Sequence, residues 1–584
     1  MFATFVFGNG MSWLPTFMLF VDIVVAAAIF YYTCKHRYYW IGGLELVQLV
    51  MVLWFEFARG HGLRTTNPFI VDKFAWIMLL IAAVVGGLIV VFAVGYMEEF
   101  QKEHPEVQDR RPFFFGVMGL FLVAMFGLVM SNNLLYMYTC WEITSFCSFL
   151  LIGYTQTKEA IRNSFKALWM NLLGGLAFAL AILLMGTQLH SVELTRLLAV
   201  GSDNRVVQLV AALLVFCGFT KCAMMPFSGW LLGAMVAPTP TSALLHSSTM
   251  VKAGVFLIIK LCPLFDGNYV GWMTMMVGGI TFFFAGCAAI AQSDGKKVLA
   301  YSTVSNLGLI VCCAGLGTYA GAWTAIMLVI FHAVAKSLCF LCVGTAEQQI
   351  GSRNLENFDG LFCSMPRLSM CMLVGICGMF LAPFGMLVSK WAAMKAVVDA
   401  GQPLLVFFMA FGSAITMFYW AKWIGKICAY IPMKKELEEG IHSVQWVALR
   451  FLSAAVVSLC TLFPLLSSRM VGPYLQEIYR CNGSVLAPSN LLVMGVMVVL
   501  VMLLGLGYGR GRRNRRVLTQ LSGANAGDNL GYLGAGERVV PVTLSNWYMD
   551  DWFGEARMQL WGFSLCAACI LAGLALVGGG VLLA

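Results

Sequence analysis

The sequence predicts an all-α protein that crosses a membrane many times. Of its 584 residues, 60% are hydrophobic and only 11% are charged, whereas soluble globular proteins carry about 25% charged residues. A soluble fold could not hide this much apolar surface from water. The apolar runs are unbroken and reach the roughly 20 residues that a spanning helix needs, well beyond the roughly 10-residue strands of a transmembrane barrel.

The apolar runs divide into about sixteen segments long enough to span the bilayer. Loops with turn residues or charges separate them along the chain. They are predicted at residues 12–33, 39–58, 70–97, 113–131, 132–154, 163–185, 205–236, 240–262, 268–291, 298–317, 320–345, 368–399, 402–421, 447–468, 488–508 and 558–583.

The charge distribution supports this segmentation. If the N-terminus lies outside, most of the 37 lysines and arginines fall in the odd-numbered loops, including the GRGRRNRR run at 509–516. Cytoplasmic loops carry this excess of basic residues. The net charge of +9 therefore indicates topology rather than nucleic-acid binding. Since no basic region precedes the first apolar run, we expect no cleaved signal peptide.

The 19 cysteines do not indicate a metal centre. The two CxxC pairs, Cys339/Cys342 and Cys566/Cys569, lie inside apolar segments without a second pair or a histidine cluster. Zinc and iron–sulfur sites need about four converging ligands. The phosphate-binding pattern GxxxxGK[ST] is also absent from the sequence. The sequence therefore predicts no metal or cofactor in this chain.

Ionisable residues near the middle of apolar segments are the main functional signal. Each costs about 2.5–3.5 kcal/mol at the bilayer centre, and such residues usually face the bundle interior along ion or proton paths. His332 and Lys336 share one helix face because they are four residues apart. We therefore predict a relay rather than a set of structural ion pairs. Its members are Glu142, Lys221, His246, Lys252, His332, Lys336 and Lys390.

Prolines interrupt three of these regions. Pro226 follows Lys221 by five residues, Pro383 precedes Lys390 by seven, and Pro238 precedes the eighth segment. Proline removes a helix hydrogen bond, and broken helices at matching places in two halves indicate inverted repeats. We predict two five-helix repeats with breaks in helices 7 and 12. The expected domains are 1–112, 113–262, 268–430 and 431–584, the last with a cytoplasmic loop at 509–555.

Several blocks around these residues resemble one family. PFSGWLLGAMVAPTPTSALLHSSTMVKAG (226–254) looks like the signature of antiporter-like proton-translocating membrane subunits. WEITSFCSFLLIGY (141–154), KKVLAYSTVSNLG (296–308) and HAVAKSLCFLCVG (332–344) resemble neighbouring blocks in the same order. The family includes the large membrane-arm subunits of complex I, the large subunit of Mrp-type antiporters and subunits of energy-converting (group 4, Ech-like) membrane-bound hydrogenases.

The resemblance implies a role for each ionisable residue. Glu142 would be the carboxylate of the fifth helix, and Lys221 its partner on the broken seventh helix. Lys390 would be the terminal lysine of the broken twelfth helix. The central relay would consist of His246, Lys252, His332 and Lys336. We hypothesise that separation of Glu142 from Lys221 releases a proton toward Lys390.

Differences from the family pattern indicate which branch of the family the chain resembles. In NLLGG (171–175), Leu172 and Gly175 stand where the complex I form has charged residues, as in the Mrp and hydrogenase branches. The loop 509–555 is too short and too rich in glycine for the long lateral helix of the distal complex I subunit. Mrp large subunits are normally longer. These differences favour a non-catalytic pumping subunit of an Ech-like hydrogenase or complex I relative. The alternative is the large subunit of an Mrp-type Na⁺/H⁺ antiporter.

The resemblance also implies partners and a location. We expect other membrane subunits and a peripheral redox module that holds iron–sulfur clusters and, in the hydrogenase branch, a nickel–iron centre. Lysine and histidine side chains favour protons over sodium as the ion. A catalytic redox enzyme would need ligands that this sequence lacks. The expected location is a prokaryotic cytoplasmic membrane, with the N-terminus outside.

Overall fold

The structure is a computed structural model of the chain. It describes residues 4–8, 13–58, 63, 65–380, 385–429, 436–481, 485, 492, 495–496, 499, 503, 518, 520–521, 523–529, 531–542 and 545–582.

Long helices make up almost all of the described chain, which confirms the predicted all-α membrane fold. Shorter helical turns at Leu194–Val200, Gly229–Gly233, Leu361–Ser364 and Asp550–Phe553 connect them. The long helices are α1 Leu14–Lys35, α2 Tyr39–Ala58, α3 Lys73–Glu103, α4 Arg111–Met130, α5 Leu134–Ile152, α6 Lys158–Gln188, α7 Arg205–Lys221, α8 Thr239–Leu264, α9 Tyr269–Ile290, α10 Gly295–Gly315, α11 Tyr319–Ile350, α12 Pro366–Phe380, α13 Gly385–Asp399, α14 Pro403–Cys428, α15 Ser443–Tyr479 and α16 Glu555–Leu582.

Fourteen helical spans in the described residues are long and apolar enough to cross a membrane. The difference from sixteen predicted segments has two sources. The seventh segment is represented by α7, which has only 17 residues. The fifteenth segment, 488–508, lies almost entirely outside the described residues. The count of sixteen, the four domain bounds and the two inverted repeats stay predictions.

Polar caps begin most of the central helices. The side chain of Asn133 accepts a hydrogen bond from Leu135 N at the start of α5, and Asp294 accepts bonds from the Lys296 and Lys297 amides at the start of α10. Such caps satisfy amides that have no partner within the helix. The helices therefore begin where the chain changes from polar to apolar residues.

The chain departs from regular helix geometry near the predicted break in the seventh segment. Helix α7 ends at Lys221, and no long helix resumes before α8. Pro226 lies in this connection and Pro238 directly precedes α8. Within α8, Leu244–Ser248 forms a π-helical turn, a feature that often occurs at functional sites. Pro383 lies outside the described residues, between α12 and α13.

The bundle has a tightly packed centre and a lipid-facing edge. Helices α8, α10 and α11 are buried throughout their apolar lengths, whereas α1 is mostly exposed. Glycines allow α9 and α10 to approach closely, because a Cβ on Gly278 would lie 2.4 Å from Cys312 N and one on Gly308 would lie 2.6 Å from Phe282 N. Small residues at such contacts are typical of membrane helices.

Short strands lie outside the helices. Strand β1 (Phe5–Phe7) pairs antiparallel with β2 (Phe69–Val71), so the segment before α1 is held against the segment before α3. Strands β3 (Ala524–Asn525), β4 (Gly531–Leu533) and β5 (Val539–Pro541) form an antiparallel sheet in order. This second sheet lies in the predicted cytoplasmic loop before α16.

Candidate functional site

Ionisable side chains form a buried row through the central helices, from α5 to α13. All the predicted residues are buried in this part of the bundle. Lys221, His246, Lys252, His332 and Lys336 have no exposed surface, Glu142 is 2% exposed and Lys390 is 9% exposed.

Lys221 occupies a cradle on helix α5. Its Nζ donates to Trp141 O at 2.9 Å and to Ser145 Oγ at 2.7 Å, and it lies 4.9 Å from the centre of the Trp141 ring. Ser145 Oγ itself donates to Trp141 O at 3.0 Å, which leaves its lone pairs free to accept from the lysine. The ammonium is therefore held by a carbonyl, a hydroxyl and a ring face.

The end of α7 places Lys221 in this cradle. The indole Nε1 of Trp230 donates to Thr220 O at 2.9 Å and so satisfies one carbonyl at the helix break. Gly254 of α8 packs against the same break, since a Cβ there would lie 2.6 Å from Gly218 O and 3.1 Å from Lys221 Cβ. The break is therefore packed by protein on two sides.

Glu142 lies one position beyond Trp141 on α5 and is not hydrogen-bonded to Lys221. Among the described residues, neither carboxylate oxygen of Glu142 has a hydrogen-bond partner. Gly175 of α6 provides the space for the carboxylate, because a Cβ there would lie 2.4 Å from Glu142 Oε1 and from Gln48 Oε1. Within the described residues, Glu142 and Lys221 are thus electrostatic neighbours without a direct hydrogen bond.

Lys252 and His332 are in direct contact at the centre of the row. Lys252 Nζ lies 2.9 Å from His332 Nδ1, a distance typical of a hydrogen bond. Within the described part of the chain, His332 Nε2 has no partner. An ammonium that donates to an imidazole nitrogen can pass its proton across that bond.

Lys336 occupies a second cradle of the same composition. Its Nζ donates to Leu299 O at 3.2 Å and also to Ser302 Oγ, both on α10. Ser302 Oγ in turn donates to Leu299 O at 2.9 Å. The Lys336 Nζ lies 4.9 Å from the centre of the Trp420 ring. Two lysines on different helices are therefore held by the same three kinds of group.

His246 and Lys390 are less closely connected to the row. His246 lies in the π-helical turn of α8, with ring centres of Trp230 and Phe340 each 6.0 Å away. Neither ring nitrogen has a hydrogen-bond partner in the described residues. Lys390 lies on α13, within electrostatic range of Lys336. Transfer through either residue therefore requires water or side-chain movement.

Two further carboxylates are buried outside the predicted relay. The sequence indicates Glu142 as the one deep carboxylate of the central helices and places Glu45 in a peripheral helix. Helix α2 is peripheral, but Glu45 is only 5% exposed, and Asp22 of α1 is only 8% exposed. Asp22 also lies within an apolar run, so the rule that finds the relay residues could have found it.

The side chains that hold the lysines could not be found by this rule. Ser145, Ser302 and Trp420 are not among the predicted site residues, because nothing in their local sequence distinguishes them from other residues of apolar helices. Their contacts with the lysines arise only where two helices meet.

Family models match two parts of the chain. Residues 131–416 match the family described as "NADH:quinone oxidoreductase/Mrp antiporter, TM", and residues 54–105 match "NADH-Ubiquinone oxidoreductase (complex I), chain 5 N-terminus". Together these matches cover more than half of the chain. The chain belongs to this family of antiporter-like membrane subunits. The first match contains every predicted relay residue from Glu142 to Lys390.

Curated relatives of this antiporter-like subunit include components of cation/proton antiporters. A probable K(+)/H(+) antiporter component of the A/B type from Rhizobium meliloti (strain 1021) is 38% identical over 300 residues, which are 50% of this chain and 29% of that protein. The A1 component of a Na(+)/H(+) antiporter from Staphylococcus aureus (strain N315) is 31% identical over 440 residues, 70% of this chain and 54% of that protein. The antiporter-like subunit thus spans about half the length, or less, of these relatives.

Solved structures share the fold of the antiporter-like subunit. A chain of the Mrp complex from Dietzia sp. DQ12-45-1b aligns with a TM-score of 0.64 and 24% identity, over 87% of this chain and 58% of that chain. A chain of the membrane-bound sulfane sulfur reductase, described as an archaeal respiratory membrane complex, aligns with a TM-score of 0.65 and 20% identity. That alignment covers 80% of this chain and 98% of the other.

Proposed function

We propose that this antiporter-like subunit translocates protons through the membrane, as one member of a multisubunit complex. One observation carries the proposal. The buried lysines Lys221, Lys252 and Lys336 are hydrogen-bonded to a carbonyl, a hydroxyl or an imidazole rather than to a carboxylate. Such acceptors can bind either the ammonium or the neutral amine. A proton can therefore arrive and leave without leaving a buried partner charge unpaired.

The proton would follow the row in steps. Approach of Glu142 to Lys221 would hold the proton on the lysine, and separation would let it pass by way of water toward Lys252. The Lys252–His332 contact would carry it to the Lys336 cradle, and Lys390 would be the outlet. The row itself includes one direct hydrogen bond between two of its described members, Lys252 and His332. The other transfers would depend on water or on movement of the helix breaks.

The test uses two near-isosteric variants. Glu142→Gln and Lys221→Met should each abolish coupled proton movement in membrane vesicles while the complex still assembles. Lys395→Met is a matched control, because Lys395 lies on α13 but is 56% exposed and pairs with Asp399. Proton movement at the wild-type rate in either relay variant would contradict the proposal.

Two sources of energy are consistent with this relay. A redox-driven complex would supply electrons through a peripheral module with iron–sulfur clusters and, in a hydrogenase, a nickel–iron centre. This source is supported by the shared fold with a chain of a respiratory sulfane sulfur reductase complex. The alternative is a sodium or potassium gradient within an Mrp-type antiporter, favoured by the 38% and 31% identity to antiporter subunits.

Purification through a tag on this chain in mild detergent separates these alternatives. Nickel and iron with co-purifying iron–sulfur subunits would establish a hydrogenase-type pump, and iron without nickel would indicate another redox-driven relative. Small membrane subunits without metal, together with transport driven by an added salt gradient, would establish the antiporter. In each case we propose a prokaryotic cytoplasmic membrane as the location, with the N-terminus outside.

A further inference from the structure

Two carboxylates outside the relay are buried on the peripheral helices. Asp22 lies near the middle of α1 and Glu45 near the middle of α2, and they are 8% and 5% exposed. The opposite faces of these helices present large apolar side chains such as Phe20 and Trp54 to the lipid. Because an acidic group inside a membrane carries a substantial energetic cost, two that face inward call for a functional explanation.

Both carboxylates line a small cavity together with Glu142. Its volume is about 10 Å³, which is room for about one water molecule. In the described part of the structure, Asp22 Oδ1, Glu45 Oε2 and both oxygens of Glu142 are buried without a hydrogen-bond partner. The cavity is lined by Asp22, Glu45, Leu49, Val52, Tyr138 and Glu142.

A larger cavity lies beside this one, toward the end of the bundle where α1 begins. Its volume is about 110 Å³, and it shares Asp22 and Val52 with the inner cavity. Its lining extends to Glu56 near the end of α2, to Thr65 in the following connection and to Asn133 at the start of α5. Thr139, which also lines the larger cavity, donates from its Oγ1 to Asp22 Oδ2 at 2.9 Å. Polar groups therefore line two adjacent cavities between this end of the bundle and Glu142.

We infer that Asp22 and Glu45 form a lateral proton path, which connects this end of the bundle with Glu142. The inference rests on the proposed proton translocation. A proton would bind Asp22 from water in the outer cavity, pass to Glu45 and then to Glu142. Each transfer breaks one O–H bond and forms another, so the proton is the only species that moves.

The size and composition of the route favour protons over a metal cation. The inner cavity has space for about one water molecule, which leaves little room for a hydrated ion beside Glu142. The described residues also contain no group of three His, Cys, Asp or Glu side chains placed to hold a metal ion. Charged and titratable side chains also face the route from the neighbouring helices. They are Glu56, Tyr136 and Tyr138, with Cys140 within electrostatic range of Asp22 and Lys221 within range of Glu142.

The first test removes the carboxylates with minimal change of shape. Asp22→Asn and Glu45→Gln should each lower the rate of proton movement about tenfold or more in vesicles that hold the complete complex, since a positioned proton carrier ordinarily contributes a factor of about 10²–10⁴. Acridine orange would report proton movement after addition of the electron donor or of NaCl, whichever drives the complex. Assembly would be measured on native gels. Normal rates in both variants would overturn the inference.

A second test closes the junction between the cavities. Val52→Phe should fill the shared wall and lower the rate, because Val52 lines both cavities and is only 4% exposed. Val50→Phe is the matched control on the same helix, because Val50 is 55% exposed on the lipid side. A Val52→Phe variant that assembles and transports like Val50→Phe would contradict the path. If Val52→Phe fails to assemble, the two carboxylate variants decide.

The outcomes separate this inference from the proposed function. Loss of transport in Glu142→Gln with normal transport in Asp22→Asn and Glu45→Gln would leave the relay standing and remove the lateral path. Normal transport in Glu142→Gln would remove the relay itself. If Asp22→Asn and Glu45→Gln instead raise the half-saturating NaCl concentration without changing the maximal rate, the carboxylates bind the metal cation, and the proton path is wrong.

Discussion

Two sets of buried or partly buried lysines in this protein have opposite surroundings. The cradle lysines, Lys221 and Lys336, lie deep in the bundle and donate to a carbonyl and a serine hydroxyl beside a tryptophan ring. The rim lysines lie at helix ends and pair with carboxylates. Lys296 Nζ is 2.6 Å from Glu347 Oε2, and Lys260 pairs with Asp72.

The difference shows how one residue type serves two purposes. A rim lysine that loses its proton leaves a carboxylate unpaired, and an unpaired buried or partly buried charge is costly. A cradle lysine that loses its proton leaves only neutral acceptors behind. We therefore expect substitutions of the rim lysines to change stability, and substitutions of the cradle lysines to change proton movement.

The largest expected effect comes from exchanging one lysine of each set for methionine. Lys336→Met should lower the rate of proton movement about 100-fold or more, as expected for loss of a positioned proton carrier, with normal assembly. Lys260→Met should lower the melting temperature of the complex while the rate per assembled complex stays unchanged. Vesicle transport and thermal unfolding would be measured for both. If Lys260→Met lost transport and Lys336→Met kept it, the comparison would be reversed.

A glycine beside the relay provides the next test. Gly175→Ala would place a Cβ 2.4 Å from Glu142 Oε1, so the carboxylate must shift, and overpacking of this kind costs about 1–3 kcal/mol. We expect transport to fall about tenfold, the change in rate that about 1.36 kcal/mol produces. Gly116→Ala is the matched control, because no heavy atom lies within 4 Å of its added Cβ. Equal rates in the two variants would show that the position of Glu142 does not limit transport.

The cradle serines should have a smaller effect. Ser145→Ala and Ser302→Ala each remove one acceptor from a lysine but leave the backbone carbonyl in place. Since a hydrogen bond to a charged group contributes about 1.5–3 kcal/mol and the carbonyl retains part of the contact, we expect transport to fall about threefold to tenfold. Ser453→Ala is the control, because this serine bonds to Leu449 O on α15. Unchanged transport in both cradle variants would show that the backbone carbonyls and the tryptophan rings alone hold the lysines in position.

The smallest effect concerns a rim carboxylate outside the spanning helices. Partial burial would raise the pKa of Glu356, but Lys426 Nζ at 2.6 Å and hydrogen bonds from Tyr548 and Asn546 outweigh this and lower the pKa. A carboxylate with a lowered pKa stabilises the fold above its unfolded pKa, and the stabilisation is lost as pH falls through the folded pKa.

Glu356→Gln should therefore loosen residues 545–549 at neutral pH, because Tyr548 and Asn546 lose a charged acceptor. Hydrogen–deuterium exchange of this segment should be faster in the variant than in the wild type. The two proteins should converge as pH falls through the folded pKa of Glu356. A difference that persists in acid would show that the carboxylate charge is not what holds the segment.

The buried ionisable residues of the proposed relay could be predicted from sequence because such residues are rare in apolar segments. Lys221, Lys252 and Lys336 are recognisable because each lies inside an apolar segment, and a lysine at membrane depth needs an explanation. The same rule applied to the outer helices would have found Asp22. Ser145 and Ser302 could not be found in this way, because serine is common in membrane helices and a hydroxyl becomes part of a cradle only when a lysine from another helix reaches it.

The sequence by itself determined that this chain is helical, that it crosses the membrane many times and which ionisable residues lie deep within it. Hydrophobicity and charge are local properties, so they can be read along the chain. Only the tertiary structure decided that Lys221 contacts Trp141 and Ser145 rather than Glu142, and that Asp22 and Glu45 share a cavity with Glu142. These contacts depend on how α1, α2, α5 and α7 pack, which no periodicity within a single helix records.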